Sequence, residues 1–249
     1  MKISRLSLFD LNSPGGRTII RFLRNRSALI GLTILILLVS ACVAAPLLTS
    51  KDPIAVNPSQ ALQPPGPEFL MGSDNIGRDV FTRFLYGGRI SLQVGLVAVT
   101  LGAVVGILLG LISGYLGGWL DSFVSWFVDV LLAFPDILLA LTVVAILGPG
   151  VMNTMIAVGV SFIPSFMRVT RSNVLQIREM EYIAAAKALG SSNFGILTRH
   201  VLPNTLRTLL VLASLGVGNA ILAGAALSFL GLGGQPPTPE GWFRPVRIT

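Results

Sequence analysis

Residues that carry out chemistry are scarce in this chain. It has one histidine, His200, and one cysteine, Cys42. A zinc site needs three or four clustered ligands and a disulfide needs two thiols, so no metal centre, cofactor or disulfide framework is expected. No Gly-Lys pair occurs, so the phosphate-cradling G-x-x-x-x-G-K-[ST] loop is missing and ATP is not hydrolysed by that route. Neither H-E-x-x-H nor G-x-S-x-G is present. An intramembrane protease would need a Ser/His pair or two buried carboxylates, and neither is evident. The expectation is a protein with no catalytic residues, not an enzyme. Charge is scarce as well. Only 12% of residues are charged, about half the roughly 25% of soluble domains.

In place of charge there are long apolar runs. Residues 27–50, 90–120, 137–167 and 208–239 are uncharged over 24, 31, 31 and 32 positions. A membrane span needs about 20 apolar residues. The third run contains "LGPG", Leu147 to Gly150, a turn that divides it into two crossings. Five spans are therefore expected, at 27–48, 90–116, 124–147, 151–173 and 206–230, in an all-α integral membrane protein.

The net charge of +7 does not signal nucleic acid, because the cations are clustered. Lys2, Arg5, Arg17, Arg21, Arg24 and Arg26 precede the first run, and Arg168, Arg171, Arg178, Lys187, Arg199 and Arg207 fall in one later segment. In residues 49–89, Lys51, Arg78, Arg83 and Arg89 are matched by Asp52, Glu68, Asp74 and Asp79. Cations collect on the cytoplasmic side of a membrane protein. An internal N-terminus with four crossings before the second cluster places both clusters inside. The opening segment is too basic and interrupted for a cleaved signal, so the first run reads as a retained membrane anchor.

The external segment 49–89 starts Pro-rich and is expected to be irregular; "RDVFTRFLYGG" then begins a short surface helix leading into the second span. Gly102, Gly106, Gly110 and Gly114 recur every four residues on one face of that span. This spacing favours close approach of a neighbouring helix in lipid; a solute path is the alternative. Asp121, Asp129 and Asp136 are expected near an interface, with Tyr115, Trp119 and Trp126 as an aromatic belt, and Pro135 is expected to kink the third span. Asn153, Ser161, Ser214 and Asn219 are polar residues within spans that can line a path.

One stretch reads like a soluble surface: "EYIAAAKALGSSNFGILTRHVLPN", residues 181 to 204. Glu179 and Glu181 suit the first turn of a helix, Ala184, Ala185, Ala186 and Ala188 are helix formers with little bulk, and Gly190 suits the position after the C-cap. Ser191 or Ser192 can cap a second helix, which Pro203 is expected to break before the fifth span. Small side chains leave a smooth face that another protein can approach; an ordinary helical loop on the membrane is the plain alternative.

This stretch resembles the cytoplasmic "EAA" loop of binding-protein-dependent ABC importer permeases. Ala185, Ala186, Gly190, Leu202 and Pro203 match its spacing, with Ala184 where the pattern has Glu and Glu181 three residues earlier. "GSDNIGRDVFTRFLYGGRISL", "GYLGGWLD", "LLAFPDILLA", "LGPG" and "ALSFLGLGGQPPTPE" are similar to the C-type subunit of the oligopeptide/dipeptide/nickel branch. The resemblance implies a type I importer transmembrane domain. It implies a second homologous permease, two cytoplasmic ATPase subunits, an extracytoplasmic solute-binding protein, a peptide or related small solute, and surrounding lipid as partners. Glu181, Tyr182, Ala184, Ala185, Ala186, Gly190, His200, Leu202 and Pro203 would form the ATPase-coupling loop. The expected organisation is a cytoplasmic segment 1–26, an anchor 27–48, an extracytoplasmic loop 49–89, a permease core 90–235 with coupling loop 174–205, and a divergent tail 236–249. The end of that tail, "GWFRPVRIT" at 241–249, reads as a truncation that removes the family's sixth span and deprives the small-residue segment Gly216, Gly218, Ala220 and Gly224 of its packing neighbour. The alternatives are a membrane anchor or receptor-like subunit without transport, and a non-functional remnant.

Overall fold

Uncharged runs of this length have one low-energy form in a bilayer, the helix, because backbone groups there must be satisfied within the segment. A computed structural model of the chain describes residues 24–233. The cations before Arg24 and the expected divergent tail lie outside the described residues. Among those residues every element beyond one isolated bridge is helical. Four helices are long and apolar enough to cross a membrane, or five crossings if one bent pair is counted as a span.

The chain divides into two units after Ser50. In the first, α1 (Arg26–Val43) is capped by Asn25, whose side chain accepts from the Ala28 N–H. The expected span 27–48 is interrupted: Pro46 has no N–H to donate to Cys42, so the helix ends at Val43 and a single turn, α2 (Ala45–Leu48), follows.

The second unit begins with a cap, residues 51–79. It carries only one short 3-10 turn, Pro58–Gln60, yet its backbone is cross-tied. The Asn57, Leu62 and Ser73 N–H groups donate to Ile76, Asp74 and Gln63 carbonyls at 3.1, 3.0 and 3.0 Å. Asp74 is the centre of the cap. Its carboxylate accepts from the Ile76 and Arg78 N–H groups at 3.1 and 2.9 Å and from Arg78 Nε at 2.6 Å, with Arg83 Nε 4.0 Å away. Burial works to raise its pKa, but the Arg78 N–H, the Arg78 guanidinium and the Ile76 N–H together hold it below the ordinary carboxylate value. Gly77, at φ +79°, passes so near Asn57 that a Cβ there would lie 1.7 Å from its carbonyl oxygen.

Asp79 caps α3 (Val80–Leu116), accepting from the Thr82 N–H at 2.9 Å. The surface helix and second span expected separately are thus one 37-residue helix, because nothing between Arg83 and Ser91 interrupts the i→i−4 ladder. After Gly117 come α4 (Gly118–Leu132) and α5 (Asp136–Leu147), bent by 94°. The expected third span is therefore broken rather than kinked. Pro135 disfavours helical backbone at Phe134, and α5 restarts at Asp136. Then follow α6 (Val151–Arg178), α7 (Glu181–Ala188), α8 (Asn193–Ile196), a π turn (Leu197–Val201) and α9 (Leu202–Phe229).

The α3–α6 contact dominates the packing. A Cβ on Gly102, Gly106 or Gly110 would fall 2.6 Å from the Cβ of Phe162, Phe166 or Thr170, and one on Gly114 would fall 3.1 Å from that of Val174. Four glycines at four-residue spacing on α3 thus receive four side chains at the same spacing on α6. Gly216 and Gly224 of α9 lie against Val99 and Val94 of α3, and Ala220 is buried in the same core. The small-residue segment expected to lack a neighbour therefore has one in α3; only Gly218 is open. Two ion pairs hold α4 to α6: Arg171 grips Asp121 with Nε and an Nη at 2.5 and 2.7 Å, and Arg168 pairs with Asp129.

Replacing Gly106 by Val should destabilise the α3–α6 pair by about 1–3 kcal/mol, since the obstructing atoms include backbone that cannot step aside. Gly218→Val should be tolerated. The melting temperatures of the two detergent-solubilised variants check the contrast.

Because the Asp74 pKa is lowered on folding, its contribution to cap stability is fully present above the unfolded value near pH 3.9 and is lost as pH falls through the folded value. Amide exchange at Leu62 and Arg78, taken relative to the intrinsic rate at each pH, should therefore accelerate below about pH 4. Asp74→Asn should accelerate it already at pH 7, by an amount corresponding to about 1.5–3 kcal/mol.

Candidate functional site

The loop that follows α6 is short and depends on packing. At eight residues, α7 is far below the roughly 12–15 at which an isolated helix becomes marginal. Ile183 supplies the anchor. It is fully buried with Leu111 and Tyr115 of α3 and Val174 and Ile177 of α6, and the same cluster takes Ile196 and Val201 from the returning arm. Ala186 and Leu202 are half-buried against it. The Tyr115 hydroxyl donates to Asn193 Oδ1 at 3.0 Å, and Lys187 Nζ lies 5.6 Å above the Tyr115 ring. Both arms of the loop are thereby tied to the end of α3.

Glu181 stands in the first turn of α7, whereas Glu179 terminates α6. The sequence expectation that both glutamates open one helix is corrected by this break at Met180, which is extended (ψ 142°) and begins the new helix. At the other end the Gly190 N–H donates to Lys187 O at 2.9 Å and the Ser191 N–H to Ala186 O at 3.1 Å. This pair of bonds is the Schellman closure, and it places Gly190 at φ +82°. Ser192 caps α8, accepting from the Gly195 N–H at 3.1 Å.

Pro203 does not break the second arm, contrary to the sequence expectation. It lies in the first turn of α9, which runs on from α8 without interruption. The chain accommodates the missing N–H by widening one turn: the Leu202 N–H donates to Leu197 O, an i→i−5 bond. His200 lies in this π turn, its ring 6.1 Å from that of Tyr182. Asn204 Nδ2 donates to His200 O at 2.7 Å and to the Tyr182 hydroxyl at 3.3 Å. Asn204 therefore links the two arms, with the His200 ring beside that of Tyr182.

What remains outward is a surface. Glu181, Tyr182, Ala184, Ala185, Ala188 and Gly190 are exposed on or beside α7. Two large apolar side chains flank the Gly190 turn with little cover, Leu189 at 87% exposure and Phe194 at 76%. Beside them Ser191, Ser192, Phe194, Gly195, Thr198, Arg199 and His200 line an open depression of about 330 Å³. Of the polar span residues, Asn153 is occupied with the Leu147 and Gly148 carbonyls and Ser161 with Val158 O, whereas Asn219 is exposed and its amide makes no hydrogen bond among the described residues.

Residues 106–244, more than half the chain, match the family of binding-protein-dependent transport system inner membrane components. The chain belongs to this permease family. Residues 13–65 match a second family, the N-terminal transmembrane domain of oligopeptide transport permease C. The permease is 48% identical over 228 residues to a dipeptide transport system permease protein of Alkalihalophilus pseudofirmus, covering 92% of this chain and 75% of that one. It is 43% identical over 225 residues to a peptide transport system permease protein of Brucella abortus, covering 90% and 76%. To the glutathione transport system permease protein GsiD of Escherichia coli it is 46% identical over 176 residues, covering 71% and 58%.

Sequence reasoning missed the residues that fix the loop of this permease in space. Ile183 was readable: it is the one β-branched residue in "EYIAAAKA". The Tyr115–Asn193 bond joins positions 78 apart in the chain and leaves no local pattern.

Gly190→Val should unwind the Gly190 turn at a cost of about 1–3 kcal/mol. A Cβ there meets nothing within 4 Å, so the penalty comes from the backbone alone, and Gly190→Asn should be far milder. Exchange protection of the Ser191 amide in the reconstituted permease distinguishes the two.

Proposed function

We propose that this permease moves a dipeptide, oligopeptide or related small solute across the bacterial inner membrane as one half of a permease pair, and that residues 181–204 receive the work of a cytoplasmic ATPase. The observation that carries the reading is the α7 surface. A small-residue face stands on a helix whose other side is fixed to α3 and α6 through Ile183, and two uncovered apolar side chains, Leu189 and Phe194, flank the turn that follows it. Such a surface transmits a push into the membrane helices, and the chain has no phosphate loop with which to generate one. The names of its relatives support a peptide-like solute.

In this reading Glu181, Tyr182, Ala184 and Ala185 contact the ATPase, Gly190 fixes the turn between the arms, and Ala186, His200, Leu202 and Pro203 keep the arms together. The second permease, two ATPases and an extracytoplasmic solute-binding protein complete the assembly. The N-terminus and the loop are cytoplasmic and residues 49–89 external. Twelve Lys and Arg lie in the two internal segments and four in the external one, in keeping with retention of cations inside.

Ala185→Trp should lower solute uptake and binding-protein-stimulated ATP hydrolysis at least tenfold in proteoliposomes, with the permease still inserted and folded. Unchanged stimulation would mean that the loop is not the coupling surface and would favour an anchor without transport. Sidedness is checked separately in a Cys42→Ser background. An impermeant thiol reagent applied to intact cells should label Gln60→Cys and leave Asn193→Cys unlabelled.

A further inference from the structure

Three carboxylates stand on the broken α4–α5 segment, and two of them are spoken for. Asp121 pairs with Arg171 and Asp129 with Arg168. Asp136 opens α5 directly after Pro135; its side chain is exposed, and it accepts no hydrogen bond and enters no ion pair among the described residues.

The depth of Asp136 follows from the register of the helices. Gly102 and Gly110 of α3 face Phe162 and Thr170 of α6, so the two helices run parallel. Val151, the first residue of α6, is thereby level with the start of the uncharged run of α3 at Ile90. From that level α5 leads away through the 148–150 turn, with Ala140 and Val144 in the core beside Ala157 and Val158 of α6. Its 12 residues rise about 17 Å, against a hydrocarbon core about 30 Å thick. Asp136 thus lies close to the middle of the bilayer, deeper than the interface position its sequence suggests.

Lipid is a poor neighbour there. An unpaired carboxylate at the bilayer centre is costly, and ionisable side chains at that depth face a bundle interior or a water-filled cavity. The backbone argues the same way. Residues 133–135 join the two helices without being part of either, and irregular backbone at membrane depth persists only within protein or beside water. This chain does not supply the cover, since residues 133–138 are all exposed. The neighbouring ion pair favours water. Arg168 and Asp129 already neutralise each other, yet their side chains are 58% and 63% exposed. Their level on α3 falls between Gly106 and Gly110, inside the uncharged run that ends at Leu120. A pair of this kind has no need of a partner's countercharge, only of solvent.

We propose that the α4–α5 break lines an aqueous solute path and that Asp136 holds the protonated amino group of a peptide in transit. The assignment rests on the peptide-like solute of the function proposed above. Phe134, Ile137 and Leu138 are exposed beside the carboxylate and give it an apolar surround. One fixed charge among apolar side chains orients a ligand whose amino terminus is constant while its side chains vary. Secondary transporters likewise place solute sites where a helix is interrupted near the bilayer midplane.

The test uses the permease in proteoliposomes with its partner permease, ATPases and solute-binding protein, and follows uptake of labelled dialanine. Asp136→Asn should lower uptake at least tenfold, and Asp136→Glu should restore most of it. Co-purification of the other subunits and the melting temperature should match the parent in both. A second readout needs no transport. In a Cys42→Ser background, Ala133→Cys should react at least tenfold faster with a cationic than with an anionic methanethiosulfonate reagent, and adding Asp136→Asn should abolish the preference. Unchanged uptake by Asp136→Asn overturns the proposal and leaves the transport reading standing. So do equal rates with the two reagents, or a Cys at 133 that neither reaches, because the break then lies in lipid or protein. Loss of the partner permease from Asp136→Asn also overturns it, since the carboxylate is then a pairing group. A parent complex that takes up no dialanine overturns both this assignment and the peptide reading.

Discussion

In hydrocarbon, helices gain nothing from hiding apolar surface, so two of them stay together only where their atoms fit closely. The four glycines of α3 meet that constraint. With no side chain at 102, 106, 110 and 114, the backbone of α3 comes close enough for the side chains of Phe162, Phe166, Thr170 and Val174 to sit where Cβ atoms would otherwise be. Much of the rest is hung on this pair. The α9 helix seats Gly216 and Gly224 on α3, α5 and α9 share the core around Val158 and Phe166, and α4 is clamped to α6 by its two aspartates.

The same pair gives the loop after α6 a rigid seat. Leu111 and Tyr115 stand on either side of Gly114 near the end of α3, and Val174 and Ile177 lie near the end of α6 alongside. Ile183 enters between these ends. A displacement of α7 is therefore passed to two helices at once, through a buried apolar contact rather than through exposed charge. Close packing makes such a contact behave as a stop, since interiors at this density resist compression.

Periodicity made part of this legible. The glycine repeat, the alanine run with its terminal Gly190 and the Ser192 cap follow from local rules, and each is written within a few residues of sequence. The misreadings share a cause. Pro46, Pro135 and Pro203 are the same residue type, yet one ends a helix, one turns the chain through 94° and one is carried inside a continuous helix. What differs is whether the neighbouring turn is free to widen or is packed in place, and that is decided by residues distant in sequence. That the cap is irregular was legible in the sequence, but that it is ordered was not. Proline-rich sequence shows the absence of regular structure, but the ties that order this segment run from Asp74 and Gly77 back to residues 57–62.

The widened turn at Leu197–Val201 also sets an angle. One additional residue within a helical ring offsets everything beyond it by roughly 100° relative to an uninterrupted α-helix. Ile196 and Val201, five positions apart, both reach the cluster beneath the loop, which a regular helix would not allow. Beyond the turn, Thr205 and Leu209 resume the buried side at four-residue spacing. The turn thus acts as a phase adjuster, letting one rod present its lower part to the loop and its upper part to α3. A one-residue change of length there would rotate the two functions of that rod out of alignment without altering a single contact residue.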